Sequence, residues 1–316
     1  MSSLSDITLL DYATPQINRY FGIFIFFFGM IGSILNILVL SQKPLYLNPC
    51  ARLFLMSSIT SIIAFMSGLI TRILSSWQLD FSETNRTLCK LRGLIVYASI
   101  TSNFWLIALA TIDRWLSSSH LTSRRRKSTL KNAQRGGIII ISLSIGIYLQ
   151  ILYCFDANLI DTPMQCYGKS SQCRILTDLS FALITILCPL LIMIFFSLMT
   201  ISNVRQIHHR IHHQPLNVII QHKKVDRQLL IMLFFQITLL FLLSLPLSIQ
   251  RLYLTFTNND FKTILQKSID NFVYNLTLLF IYLANGITFY LYTISGGGTF
   301  RKSLFNLFKR RQRIIH

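Results

Sequence analysis

Residues 93–115 read GLIVYASITSNFWLIALATIDRW, with no charge before Asp113 and then two charges and a tryptophan in succession. A helix rises about 1.5 Å per residue, so the 20 uncharged residues 93–112 cover about 30 Å, the thickness of a bilayer's hydrocarbon core, with their backbone amides satisfied inside the segment. Asp113, Arg114 and Trp115 then fall where such a helix meets the headgroups, a place suited to interfacial anchors.

Six more charge-free stretches flank this one, at 20–42, 53–71, 136–155, 179–204, 228–250 and 271–300. The shortest, 53–71, has 19 residues and is rich in Ser and Thr. The 316-residue chain is 52% hydrophobic and 13% charged, where an ordinary soluble domain has about 25% charged residues. A buried helix of a large soluble protein explains one such stretch and not seven in succession. The sequence predicts an all-α membrane protein, a seven-transmembrane helix bundle over 20–295. Residues 1–19 form an extracellular N-terminus, and 296–316 form a cytoplasmic surface helix and tail.

The orientation comes from the positive charge. With the N-terminus outside, the inner segments hold 20 of the 30 Lys and Arg residues and only Asp113 and Asp226 of the 11 acidic ones. That bias is the positive-inside pattern. It predicts a multi-pass plasma-membrane protein with its C-terminus in the cytoplasm. The net charge of +19 then answers to anionic membrane lipids and cytosolic partners, and requires no nucleic acid. Residues 1–19 are polar, carry Asp6 and Asp11 and run into a stretch too long for a signal h-region, so the first helix acts as its own signal anchor. After Gly296-Gly297-Gly298, the apolar Phe300, Leu304, Phe305 and Phe308 alternate with Arg301, Lys302, Lys309, Arg310 and Arg311, the pattern of a short amphipathic helix on the inner membrane surface. Cys89, Cys154, Cys166 and Cys173 all map to the outer half, where bridges persist. Asn85-Arg86-Thr87 is an outer sequon, whereas the same pattern at Asn275 falls inside the seventh helix.

A seven-helix chain with Asp113-Arg114-Trp115 at the inner end of helix three resembles the rhodopsin-like G-protein-coupled receptors. Several residues carry the resemblance in order: Asn36 in helix one, Cys89 opening helix three 25 residues before Arg114, Pro189 and Pro246 in helices five and six, and Asn285-Gly286-Ile287-Thr288-Phe289 in helix seven. The departures are also specific. Ser61 stands at the helix-two aspartate position, helix four lacks tryptophan, and Ser197 replaces a helix-five tyrosine. Leu243-Ser244-Leu245 lacks the aromatic toggle before Pro246, and Gly286 and Phe289 replace proline and tyrosine.

The resemblance implies a receptor, not an enzyme, that activates a heterotrimeric G protein through Asp113, Arg114, Trp115, Asp226, Asn285 and Phe289. Asp226, 20 residues before Pro246, is expected to hold Arg114 across the helix three–six gap. Asn36, Ser61, Asn103 and Asn285 are expected to converge as a neutral polar core. Cys89 is expected to pair with a cysteine of the loop 156–177, preferably Cys173 and alternatively Cys166, and Asn85 is the glycosylation candidate. Val96 stands where amine receptors carry an aspartate, and no lysine lies between Asp270 and Arg301 for a retinal Schiff base. The remaining mouth residues, Arg92, Val96, Tyr97, Arg174, Asp178, Arg251 and Asp270, with Arg72 and Trp77 beside them, suit an extracellular, neuropeptide-like ligand.

Two other classes compete. His208, His209, His212 and His213 resemble one histidine box of membrane di-iron enzymes, but two irons need several boxes and the chain has seven histidines in all. A titratable stalk is the simpler account, and no metal or cofactor is expected. A channel or transporter would need ionisable residues within the spans or an internal repeat, and neither is evident.

Overall fold

The computed structural model describes side chains for residues 5–43, 45–119, 121–159, 165–203, 234–257, 262–294, 300–301 and 304–305, and backbone alone for 2–4, 204–210, 216–233 and 295. Six helices are long and apolar enough to cross a membrane. They are α1 (Ser5–Leu40), α2 (Pro49–Ser75), α3 (Arg86–Ser118), α4 (Leu130–Cys154), α5 (Ser171–Asn203) and the Phe234–Phe256 part of α6 (Leu216–Phe256). The seventh span is a bent pair, α7 (Ile264–Gly286) and α8 (Thr288–Ser295), with a 46° break between them. A two-residue hairpin, β1 (Phe155–Asp156) against β2 (Tyr167–Gly168), lies between α4 and α5.

The helix starts are written in short polar side chains. Asn48 accepts from the Cys50 and Ala51 amides at α2, with Pro49 in the first turn. Asn85 caps α3, Thr129 α4, Ser170 α5 and Thr263 α7. Each cap satisfies amides that have no partner within the helix.

The burial pattern is that of a membrane bundle. Phe24, Phe27, Ile31, Ile34 and Leu38 are exposed along one face of α1, as are Ile138, Ile139 and Leu143 on α4. The buried side includes Asn36, Ser57, Ser58, Ser61, Asn103 and Asn285. Apolar faces outward and amides inward are stable only where the surroundings are hydrocarbon. Backbone approach closes the bundle at Gly286, where a Cβ would come within 2.8 Å of the Gly29 Cα. Small residues permit that contact between α1 and α7, and the bend follows directly after it.

Two features differ from the sequence reading. The first span continues outward to Ser5, through residues read as an extracellular terminus. Its polar groups meet protein: Asn18 is buried and donates to Asn275 at 2.7 Å, while Arg19 donates to the Ser76 carbonyl at 2.9 Å and lies over the Trp77 ring. At the other end, Phe300, Arg301, Leu304 and Phe305 are helical, and the rest of the amphipathic segment lies outside the described residues. Phe300 packs against Phe289 and Tyr292, and Arg301 donates to the Thr293 and Ile294 carbonyls at the end of α8.

Candidate functional site

The two ends of the bundle differ in chemistry and are joined by a polar middle. At the disulfide end, Cys89 at the start of α3 is bonded to Cys166, and Cys154 at the end of α4 to Cys173 on α5. This corrects the expected Cys89–Cys173 pairing. The alternative partner, Cys166, is the one that Cys89 takes. The hairpin folds the segment back so that Cys166, beside β2, meets Cys89, with Cα atoms 5.6 Å apart, while the first turn of α5 carries Cys173 to Cys154 at 5.3 Å.

Beneath this staple lies a buried charged cluster. Arg251 on α6 donates to Asp178 on α5 at 3.1 Å, to the Tyr97 hydroxyl on α3 at 2.6 Å and to the Tyr274 hydroxyl on α7 at 3.2 Å. Its guanidinium also lies 4.5 Å from the Phe181 ring centre. Asp178 accepts in addition from Tyr167 at 2.7 Å and Thr255 at 2.8 Å. Burial, and then the Asp178 charge, push the Tyr167 phenol well above its ordinary range, so it stays a proton donor to that carboxylate. Four helices and the hairpin thus converge on one ion pair whose side chains are 3% and 2% exposed.

The other expected mouth residues are mostly paired. Arg92 binds Asp80 at 2.8 Å, Asp270 binds Lys262 at 2.7 Å, and Arg174 donates to the Gly168 carbonyl at 2.9 Å. Val96 is half-buried and lies 3.1 Å from where a Cβ on Gly68 would sit. The open, mixed-charge rim is therefore a set of internal ion pairs around a buried core. Asn85 is exposed, and its Oδ1 caps α3 while its amide nitrogen makes no described hydrogen bond.

In the middle, Asn103 on α3 donates to Asn285 on α7 and accepts from Ser57 on α2. Asn36 on α1 donates to Ser58 at 2.7 Å. Ser61, expected in this core, is buried there, but its hydroxyl donates to the Ser57 carbonyl of its own helix at 3.0 Å. Ser57 and Ser58 make the cross-helix bonds instead. Ser57 stands four residues before Ser61, on the same helical face, which is the signal the sequence offered.

At the opposite end, Arg114 donates to Asn48 at 2.6 Å, and Asp113 accepts from Ser128 at 2.7 Å. Asn48 thereby caps α2 and tethers α3 with one side-chain oxygen. Trp115 packs on Phe196 of α5 and under Arg124. Phe289 is buried against Phe300, and three residues later Tyr292 donates to the buried Gln236 on α6 at 2.7 Å. Asp226 and the histidines at 208, 209, 212 and 213 lie outside the described side chains. Among the described residues, no group of three or more His, Cys, Asp or Glu could hold a metal.

Comparison with known proteins agrees with this architecture. The family described as 7 transmembrane receptor (rhodopsin family) matches residues 32–287. C-C chemokine receptor 1-like protein 1 of Mus musculus is 27% identical over 175 residues, which cover 54% of this chain and 49% of that protein. The chain thus spans about half the length of this curated relative. With a family match over most of its length and a bundle of seven spans built on the same residues, the chain belongs to the rhodopsin family of seven-transmembrane receptors.

Proposed function

We propose that this protein is a plasma-membrane receptor that binds an extracellular peptide at its disulfide end and activates a heterotrimeric G protein at its Asp113-Arg114-Trp115 end. The N-terminus then lies outside and the basic C-terminal segment inside, next to anionic lipid. The observation that carries the reading is the contrast within α3. Its disulfide end contributes Tyr97 to a stapled charged cluster, and its other end carries Arg114, which donates to Asn48 on α2. Between them, Asn103 links α2 and α7. All three sets of contacts share α3, so a shift of that helix at one end bears on the packing at the other.

A peptide suits the disulfide end because residues of several elements reach the surface around the buried cluster, allowing several separate anchors. The name of the murine relative, a C-C chemokine receptor 1-like protein, is consistent with a polypeptide ligand. Tyr253, Trp77 and Arg174 supply further partly exposed contacts at that end. Asp226 is retained as the helix-six partner of Arg114, alternating with or adding to Asn48.

The test is nucleotide exchange on purified G proteins by the reconstituted receptor, with a peptide library as the source of agonist. Peptide-dependent exchange that is lost in Arg114→Ala supports the proposal. Ion or solute flux in the same vesicles, with no exchange under any peptide, overturns it in favour of a channel or transporter.

A further inference from the structure

The loop between α3 and α4 carries its charge in one block, Arg124-Arg125-Arg126-Lys127, and the next residue is Ser128. A single helical turn, Thr122–Arg125, is followed by Ser128 and Thr129 without regular structure, and α4 begins at Leu130. Arg125, Arg126 and Lys127 are exposed, and Arg124 lies over the Trp115 ring. Ser128 is half-buried, and its hydroxyl donates to the Asp113 carboxylate at 2.7 Å. The loop is thus pinned to the first residue of the Asp113-Arg114-Trp115 triplet. A serine hydroxyl that holds a carboxylate in this way is also a nucleophile, and once esterified it no longer donates.

The neighbouring hydroxyls are placed differently. Arg125 and Arg126 stand three and two residues before Ser128, with Lys127 adjacent. A kinase whose acidic cleft reads guanidiniums on the N-terminal side of its substrate therefore meets two exposed charges at the right offsets. Ser123 precedes the whole block. Thr129 follows it, but its Oγ1 accepts from the Asn132 amide as the cap of α4, where an added phosphate suits the positive end of the helix. At Ser128 the phosphate instead brings a charge of about −1.5 to −2 against a carboxylate. The segment is held by bonds of short range: the amides of Arg124 to Thr129 donate within the loop, and the Lys127 carbonyl accepts from Asn132 at 2.9 Å. Such a segment opens for a kinase without unfolding a span.

We propose that Ser128 is a phosphorylation site for a cytoplasmic protein kinase that selects basic residues, and that the phosphate releases this loop from Asp113. The Ser128 oxygen attacks the γ-phosphorus of ATP held by the kinase. A new O–P bond forms, the bond from that phosphorus to the β,γ-bridging oxygen breaks, ADP leaves, and the hydroxyl proton passes to the kinase's base. The product repels the Asp113 carboxylate, while Arg125, Arg126 and Lys127 offer the phosphate exposed partners on its own loop. The end of α3 then loses a tether at the residue beside Arg114. The inference rests on the orientation in the receptor reading above, because ATP and its kinases are on the cytoplasmic side.

The test starts with the purified full-length protein in detergent, treated with MgATP and the catalytic subunit of cyclic-AMP-dependent protein kinase, an enzyme of this basic preference. Peptide mapping by mass spectrometry is expected to find phosphate on Ser128, and Arg125→Gln with Arg126→Gln should cut its incorporation about tenfold or more. The phosphorylated protein should unfold about 2–4 °C below the unmodified one, and phosphatase should restore the midpoint. Ser128→Ala loses the hydrogen bond without gaining the repulsion, so its midpoint should fall between the two and not respond to the kinase. Asp113→Asn should remove the kinase-dependent fall, because an amide can donate to the phosphate. If Asp113→Asn does not fold, the gap between Ser128→Ala and the phosphorylated parent decides. No phosphate on Ser128, a midpoint unchanged or raised by phosphate there, a kinase-dependent fall persisting in Ser128→Ala or Asp113→Asn, or the absence of that gap each overturn the proposal. In sealed right-side-out membrane vesicles Ser128 should be modified only after permeabilisation; modification without it overturns the orientation and the cytoplasmic kinase together. Kinase-dependent destabilisation through Ser128 without any peptide-dependent nucleotide exchange would leave the site standing and the signalling reading fallen.

Discussion

The Arg251 and Arg114 guanidiniums are both buried toward helix ends, and their described contacts differ. Arg251 faces a carboxylate to which two hydroxyls, of Tyr167 and Thr255, also donate, under two disulfides. Arg114 is tethered across to α2 by the neutral amide of Asn48. A buried ion pair resists separation because each charge left alone is poorly solvated, whereas an amide–guanidinium bond is exchanged at smaller cost. The first arrangement fixes a scaffold, and the second suits a contact that must open.

The sharpest way to break this comparison is to unpair the scaffold. Asp178→Asn should destabilise the protein by about 3–5 kcal/mol, seen as loss of surface expression and a lower unfolding midpoint in detergent. Replacing both partners, Asp178→Asn with Arg251→Gln, should recover part of that loss. A double variant as unstable as the single one would show that the ion pair is not what holds the cluster.

At the other end the expected effect is on activity and not on folding. Asn48→Ser keeps a helix cap but is too short to reach Arg114, so agonist-independent nucleotide exchange should rise up to about tenfold with little change in stability. Asp226→Asn should raise it less, within about fivefold, since a solvated pair is worth about 0–1 kcal/mol. Basal exchange unchanged in Asn48→Ser would show that the α2 tether does not govern the resting state.

The smallest effect concerns Asn85, which combines a sequon with a cap. Asn85→Asp keeps the cap and removes any glycan, so the protein should lose its glycosidase-sensitive mobility shift without losing stability. Asn85→Ala should lose about 1 kcal/mol as well. Identical midpoints for the two variants would show that α3 does not depend on this cap.

The spans were legible because hydrocarbon imposes a one-dimensional rule on the sequence: length and absence of charge suffice, and each of the seven stretches is helical over most of its described length. Asn103 and Asn285 were legible for a related reason, since amides mid-span must find each other. Pairings that depend on three-dimensional return of the chain were not. The hairpin decides between Cys166 and Cys173, and nothing in the spacing of those cysteines reveals it. The same holds for Arg251 and Asp178, 73 residues apart, which read as separate rim charges until α5 and α6 are placed side by side. Asn48 gives no sign in the sequence of its second bond, which comes from a helix 66 residues away.

The glycine contact between α1 and α7 bears on how a molecule reaches the interior. A Cβ at Gly32 would come within 3.1 Å of the Gly286 carbonyl, one turn from the Gly29–Gly286 contact. Along this seam the backbones stand too close for an acyl chain or a drug dissolved in the bilayer to pass between them. There is no side door here. Entry from the lipid between α1 and α7 is closed at this level.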